Sequence, residues 1–316
     1  MRTVMMLFEN KNTVRLERGD WRAVVDPAHG ANCISLRNLK YGARVLREPT
    51  DTDLLDGSYL YGMPILFPAN RMENGRFTFE GRQYVFPINE QSTGCHLHGE
   101  LNKTEFNVTR TSDCKVECRY TATKQNPYLS FPHEFEILSE HELKADGLYH
   151  TVTVTNLSDI RMPIFLGFHT TFNTLFLRDS RPENIRVLAE ISEEYARNTD
   201  NHLPNGEKPK FDAVSRALSI GAYKPFSEKE SRHYRGAGRM AVTDIGARLR
   251  VVYENDEKYG FRLIYNSADG GYVCLEPQTC LVNCQNSPFS RDEAGFDFIE
   301  AKGSKSYSSK IFLEEI

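Results

Sequence analysis

Short extended segments separated by turn residues constrain this chain most. Between residues 77 and 86, aromatic and polar side chains alternate on both sides of a turn containing Glu80 and Gly81, which is the pattern of a β-hairpin. Two further pairs of segments predict hairpins: residues 135–137 with 149–154, and residues 249–253 with 261–265. Such regular short strands predict a large antiparallel β-sandwich with few short helices.

The same organisation extends along the whole sequence. Residues 190–198 are one of the few helical candidates, and residues 196–213, rich in Asn, Pro and Gly, predict a long surface loop. A chain of 316 residues could hold two domains, but we find no repeat and no linker. We therefore expect residues 1–316 to form a single β-sandwich domain.

Composition excludes several classes of function. The formal net charge is -4, without the basic surplus typical of nucleic-acid binding. The apolar run at residues 4–8 is short and followed at once by charged residues, so we expect neither a signal peptide nor a membrane span. The 7 cysteines, an odd number without CxxC spacing, indicate reduced thiols and a cytoplasmic protein.

Glu276 is the first candidate for a catalytic residue. It lies in residues 273–279 (VCLEPQT), which predict a strand that ends at Pro277 because proline has no N–H to donate. A carboxylate held at the end of a rigid strand suits a general base. The alternative is a solvated or salt-bridged surface carboxylate.

Three other segments carry residues suited to a binding or catalytic site. Arg71 follows a proline-bounded apolar run, where its planar guanidinium could hold hydroxyls or a carboxylate, although a plain surface arginine has the same pattern. His96 and His98 would share one face if their segment is extended, and Gly99 would allow close approach of a ligand. His169 ends an apolar run, where a buried core histidine is the alternative to a catalyst.

A metal site is the other interpretation of the His-x-His pair. In β-barrel oxygenases and cupins, such a pair binds iron or zinc together with a carboxylate and a third histidine. Here Glu100 and Glu105 lie two and seven residues after His98, which does not match that spacing. We therefore expect no metal.

Four short segments, taken in their order along the chain, form a recognisable set of motifs. They are residues 62–71 (GMPILFPANR), 97–99 (LHG), 167–172 (GFHTTF) and 275–279 (LEPQT). Together they resemble the motifs of the aldose 1-epimerase (galactose mutarotase) family, and the resemblance covers essentially the whole chain. It implies a galactose mutarotase-like supersandwich and an isomerase of carbohydrate metabolism that interconverts the α and β anomers of a hexose without a cofactor.

The resemblance also implies roles for individual residues. Glu276 would be the general base, His169 the general acid, and His98 a second catalytic or orienting histidine. A carboxylate next to His169 would raise the pKa of the imidazole and so increase its protonated fraction. The substrate-binding residues would be Arg71, Asn70 and His96.

The sequence departs from the family pattern at three places. Thr170 and Thr171 replace a Pro-Tyr pair, and Glu100 stands where a glycine is common. Residues 228–234 contain no aspartate to hold sugar hydroxyls, as many members have. The sequence therefore leaves the identity of the sugar open.

Two alternative functions remain. A sugar-phosphate epimerase of the same fold would need additional Arg or Lys around the pocket, for which Arg232 and Arg235 are candidates. A non-catalytic carbohydrate-binding protein would have exposed aromatic platforms and would lack the acid or the base. In each case the expected partner is a small-molecule sugar, not nucleic acid or a membrane, and the chain is expected to be a monomer or a homodimer.

Overall fold

The computed structural model describes residues 13–51, 54–226 and 228–316. The apolar run at residues 4–8 lies outside the described residues. Within them, only two short α-helices occur, α1 (Leu54–Gly57) and α2 (Ala213–Ser219). No helix in these described ranges is long and apolar enough to span a membrane.

The remaining regular structure consists of strands. In chain order they are β1 (Val14–Arg18), β2 (Trp21–Asp26), β3 (Asn32–Asn38), β4 (Ala43–Arg44), β5 (Ile65–Leu66), β6 (Arg71–Glu73), β7 (Arg76–Phe79), β8 (Arg82–Val85), β9 (Cys95–Leu97), β10 (Asn107–Thr111), β11 (Lys115–Ala122), β12 (Phe135–Lys144), β13 (Gly147–Asn156), β14 (Met162–Ile164), β15 (Gly167–Phe168), β16 (Thr171–Asn173), β17 (Ile185–Ala189), β18 (Glu193–Tyr195), β19 (Glu230–Arg235), β20 (Gly238–Asp244), β21 (Leu249–Asn255), β22 (Phe261–Asn266), β23 (Tyr272–Gln278), β24 (Asp297–Ile299) and β25 (Ser304–Glu315). Short 3-10 turns lie at Pro27–His29, Leu101–Lys103, Pro182–Asn184 and Cys284–Asn286.

Two large sheets dominate the architecture. One has eight strands in the order β10-β11-β12-β13-β25-β21-β20-β17, and the other runs β18-β19-β22-β23-β15-β5, with β16 also paired to β23. A four-stranded sheet, β1 to β4, and the pairs β14-β24, β6-β9 and β7-β8 complete the sheets of the described residues. The pairings within both large sheets are antiparallel, so the predicted antiparallel β-sandwich is confirmed.

Alternation along the strands places the hydrophobic core. In β12, every second side chain from Phe135 onward is buried and the side chains between are partly exposed. β13 repeats this pattern, with Val152 and Val154 on the buried side. Burying an aliphatic or aromatic side chain of this size stabilises the fold by roughly 1.5–3 kcal/mol before the loss of conformational entropy.

Two of the three predicted hairpins are confirmed, since β7 pairs with β8 and β12 with β13. The third is wrong: β21 pairs with β20 and β25, whereas β22 pairs with β19 and β23. Residues 256–260 therefore cross from one large sheet to the other, and their Tyr259 is fully buried. Both strands are largely buried on both faces, so their apolar pattern does not select a partner.

The helix expected within residues 190–198 is also wrong. This segment contains the strand β18, whose Tyr195 lies opposite His233 of β19. Three residues of strand are too short for alternation to distinguish them from a helical turn.

The sequence predicted that the strand ends at Pro277, but β23 continues to Gln278. Leu275 and Thr279 donate their backbone N–H groups to the carbonyls of Thr170 and Leu166, so position 277 lies on the same edge of the strand. Its missing N–H coincides with the interruption between β15 and β16. That interruption contains His169.

Candidate active site

A pocket of about 210 Å³ opens beside the interrupted edge of β23. Its lining comes from several segments that are distant in sequence. The lining residues are Leu60, Asn70, Arg71, His98, His169, His202, Lys229, Ser231, Leu263, Tyr265 and Glu276. Five of the six predicted site residues are therefore brought together in one cavity.

Glu276 lies in the interior of β23, opposite Leu263 of β22, and its side chain is 1% exposed. Burial raises the pKa of its carboxyl to about 8, although Arg197, a hydrogen bond from Gln278 and Arg71 favour the charged form. The Gln278 Nε2 group donates to Glu276 Oε2 over 3.3 Å. At neutral pH this carboxyl group is therefore mostly protonated.

His169 faces Glu276 directly. Its backbone N–H donates to the Pro64 carbonyl, and its Nε2 atom lies 3.3 Å from Glu276 Oε1. Burial lowers the pKa of the His169 imidazole to about 4, so the rise expected from a neighbouring carboxylate does not occur. Between about pH 4 and pH 8, this pair holds one proton.

His98 is held behind His169 by a backbone contact. It follows β9 with a φ of 63°, and its Nδ1 atom accepts the Asn70 backbone N–H over 3.2 Å. That bond places the proton of the neutral ring on Nε2. The ring centroid lies 5.4 Å from that of His169 at 84°, and burial holds the pKa of His98 well below its usual range.

Asn70 and Arg71 supply polar groups from one turn. Asn70 has a φ of 61°, and its buried Nδ2 has no hydrogen-bond partner in the described part of the chain. Arg71 forms a two-point ion pair with Glu90, with Nε to Oε2 at 2.6 Å and Nη2 to Oε1 at 2.7 Å. Asn70 is therefore free to bind a ligand oxygen, and Arg71 is fixed at the pocket wall.

His96 does not line the pocket. Its ring packs against Phe86 with centroids 5.0 Å apart, and its Nδ1 bonds to the Pro87 carbonyl over 2.7 Å. The expectation that His96 and His98 share one face fails because β9 ends at Leu97 and His98 adopts a left-handed conformation.

The sequence model of the aldose 1-epimerase family matches residues 12–311. The chain belongs to this family. Its motifs contribute Asn70, Arg71, His98, His169 and Glu276 to the pocket described above.

Similar proteins of known structure share the fold. A galactose mutarotase-like protein from Clostridium acetobutylicum superposes with a TM-score of 0.92 at 29% identity, covering 96% of this chain and 95% of the other. A galactose mutarotase-like protein from Lactobacillus casei gives a TM-score of 0.72 at 17% identity, covering 96% of this chain and all of the other, which supports the fold alone.

One curated relative is the uncharacterized protein YihR of Escherichia coli K12. It is 28% identical over 160 residues, which are 50% of this chain and 49% of YihR. The match thus spans about half the length of the curated relative.

Sequence reasoning missed three residues of this epimerase-family pocket, His202, Lys229 and Ser231, and Arg197 beside it. Residues 196–213, expected to be a surface loop, fold back through a bridge between Arg197 and Pro204 and place His202 in the pocket wall. Arg197 Nη2 donates to Ser231 Oγ over 2.9 Å. No periodicity marks such a loop, since the fold back onto the sheet depends on contacts distant in sequence.

Two of the three departures from the family pattern lie outside the cavity lining, whereas residues 228–234 contribute Lys229 and Ser231 to it. Thr170 is fully buried and donates its hydroxyl to Tyr253, while the Thr171 hydroxyl donates to the His169 carbonyl. Glu100 is not among the pocket residues. Thr171 thus bonds directly to the backbone of His169, whereas Thr170 bonds to the neighbouring sheet.

Three side chains could present donor atoms to a metal ion. Those of His169, Cys274 and Glu276 lie within 4.8 Å of one another. Burial raises the pKa of the Cys274 thiol well above its usual range and also raises that of Glu276. Both shifts disfavour the anionic forms that bind metals best.

Proposed function

We propose that this family member is an aldose 1-epimerase, which interconverts the α and β anomers of a sugar. The observation that carries the proposal is the buried pair formed by Glu276 Oε1 and His169 Nε2, 3.3 Å apart at the wall of a pocket. Anomer exchange requires one proton acceptor and one proton donor, and this pair supplies both.

The reaction needs two proton transfers at neighbouring atoms. The C1 hydroxyl loses its proton to the base as its oxygen forms a carbonyl, the C1–O5 bond breaks, and O5 takes a proton from the acid. Since O1 and O5 are both bonded to C1, two groups a few Å apart can reach them together. After rotation about C1–C2, closure on the other face reverses both transfers.

Burial reverses the usual order of the two pKa values, since it raises that of Glu276 and lowers that of His169. A carboxyl with a pKa of about 8 next to an imidazole with a pKa of about 4 leaves a single proton on the pair at neutral pH. That proton rests on Glu276, so the roles of Glu276 as base and His169 as acid require it to pass to His169 Nε2, 3.3 Å away, when a sugar binds. The pair then returns to its starting proton count after each turnover.

The neighbouring residues support binding and orientation. The neutral His98 ring, with its proton on Nε2, can donate a hydrogen bond to a sugar oxygen, and Asn70 Nδ2 offers a second donor. Arg71 contributes positive charge from a fixed position. These polar groups would orient the sugar so that C1 lies at the catalytic pair.

The test measures anomer exchange by NMR across a panel of free sugars, with wild-type protein beside Glu276→Gln. Removing the ionisable group at constant shape is expected to lower turnover about 10²–10⁴-fold while the variant folds normally. Glu142→Gln, a partly exposed carboxylate on β12, is the matched control and should retain full turnover.

Normal exchange by Glu276→Gln would refute the assigned role. Sugar binding seen as line broadening, without accelerated exchange on any sugar, would favour a non-catalytic binding protein instead.

A further inference from the structure

Positive charge accumulates around the pocket. Arg71 and Lys229 line it, and Arg197 borders it through its bond to Ser231. His202 also lines it, but its lowered pKa leaves the imidazole uncharged at neutral pH. The carboxylate among the lining residues is Glu276, whose raised pKa of about 8 leaves it mostly uncharged at neutral pH. The balance of charge around the pocket is therefore positive.

Arg197 is the most informative of these cations. Its guanidinium is partly buried and bonds to the Ser231 hydroxyl and carbonyl, but within the described ranges no carboxylate lies at ion-pair distance from it. Burial lowers its pKa only to about 10, so it stays charged. A desolvated cation without an anionic partner is costly unless a ligand supplies the anion.

Lys229 adds a second charge at the rim. Its ammonium lies 5.5 Å from the centre of the Tyr265 ring, and the described residues place no carboxylate at ion-pair distance from it. By contrast, the two arginines that the sequence suggested are neutralised elsewhere. Arg232 is paired with Glu194, Asp212 and Glu230, and Arg235 with Glu193.

His202 shows that these charges converge. Burial is the main cause that lowers its pKa, and the positive charges of Arg71, Arg197 and Lys229 lower it further. The positive charges of all three side chains thus act on the imidazole of His202. Arg71 already has Glu90 as its partner, which leaves Arg197 and Lys229 without one.

We propose that the substrate is an aldose carrying an anionic group, a phosphate or a carboxylate, which is held by Lys229 and Arg197 while C1 lies at Glu276 and His169. This inference rests on the proposed function, since it names the substrate class of the same site. A guanidinium and an ammonium are the usual partners of phosphate and carboxylate oxygens. Fixing the anion at the basic side would select one orientation of the sugar.

The experiment compares kcat/KM for anomer exchange on a neutral hexose, its 6-phosphate and the corresponding hexuronate. The wild type should prefer one of the anionic sugars by about tenfold or more, and that preference should shrink at high ionic strength. Whether the phosphate or the hexuronate gives the higher value identifies the anion.

Variants at the rim connect the preference to the structure. Lys229→Met should lower the ratio of anionic to neutral kcat/KM about tenfold, and Lys229→Arg should restore it. Lys124→Met, which removes an exposed lysine that is not part of the pocket lining, should leave the ratio unchanged.

The outcomes separate this inference from the proposed function. Equal or better turnover of the neutral sugar, insensitive to salt and to Lys229→Met, overturns the anionic substrate and leaves the epimerase intact. Salt-sensitive binding of an anionic sugar that Lys229→Met weakens, without exchange on any sugar, supports the anion site and refutes the epimerase. Binding of no sugar at all overturns both.

Discussion

Two pairs of histidines in this protein share burial but differ in their surroundings. His98 and His169 lie at the pocket, whereas His141 and His150 lie opposite each other on β12 and β13. All four rings are buried, and desolvation lowers the pKa of each. Burial and a lowered pKa therefore do not by themselves mark a catalytic histidine.

The neighbours make the difference. His169 Nε2 lies 3.3 Å from Glu276, with an open cavity beside both. The His141 and His150 rings stack at 4.2 Å, and the hydrogen bond of His150 is with the Ser139 hydroxyl. A titratable partner and access for a ligand distinguish the pocket pair, while the second pair serves packing.

The largest expected contrast comes from one substitution in each pair. His169→Asn should lower turnover about 10²–10⁴-fold because it removes a proton-transfer group. His150→Asn should leave turnover per folded molecule within about twofold but destabilise the protein by about 1–3 kcal/mol through lost packing. NMR exchange rates and denaturant unfolding measure the two effects, and a stable but inactive His150→Asn would break the comparison.

The pH dependence of activity should belong to the pocket pair alone. Below about pH 4 both Glu276 and His169 carry protons and no base remains, and above about pH 8 neither does and no acid remains. A plot of kcat/KM against pH should therefore be bell-shaped, with about tenfold loss per pH unit outside these limits. His141→Leu should leave both limbs in place, and a profile that moves with this variant would contradict the assignment.

Both buried pairs should weaken stability in acid, and the packing pair should do so without any effect on turnover. The unfolded chain protonates its histidines below about pH 6.5, whereas the folded pKa of His141 is about 3. The contribution of neutral, buried His141 to the free energy of unfolding is complete above pH 6.5. As the pH falls from 6.5 to about 3, this contribution is lost with a slope of about 1.4 kcal/mol per pH unit. His141→Leu should flatten the dependence of unfolding free energy on pH by about that slope, and an unchanged slope would show that His141 is already charged in the folded state.

The smallest expected effect is that of a chelator. His169, Cys274 and Glu276 form the only metal-like group of the described residues, and they belong to the pocket side of the comparison. Treatment with EDTA should leave the exchange rate unchanged. If EDTA abolishes activity and a single divalent metal restores it, then a metal site, not a proton-transfer pair, distinguishes the pocket histidines from His141 and His150.

The fold class could be predicted because alternation is local. The segments around Phe77, Tyr84 and Phe135 carry enough alternating side chains to specify hairpins, and both form. Residues 249–253 and 261–265 could not be assigned to partners, since each segment pairs with one strand adjacent in sequence, β20 or β23, and with one more distant strand, β25 or β19. Sheet membership is a long-range property that local alternation does not contain.

The candidate site divides in the same way. Asn70, Arg71, His98, His169 and Glu276 lie in recognisable motifs, and the pocket unites them. Residues such as Arg197 and Lys229 lie in segments whose composition is that of any polar loop. Their importance comes from what they face after folding, and the unpaired charge of Arg197 becomes visible only when its neighbours are known.

The proline at position 277 has a consequence for how the pocket persists. Without it, β23 could offer a continuous row of amide hydrogens along the edge that faces β15 and β16. A neighbouring strand could then pair with β23 along its whole edge, which would move the imidazole of His169 away from the cavity. No side-chain rearrangement can replace an amide hydrogen that the covalent structure lacks. The gap in strand pairing beside His169 is therefore fixed by the backbone itself.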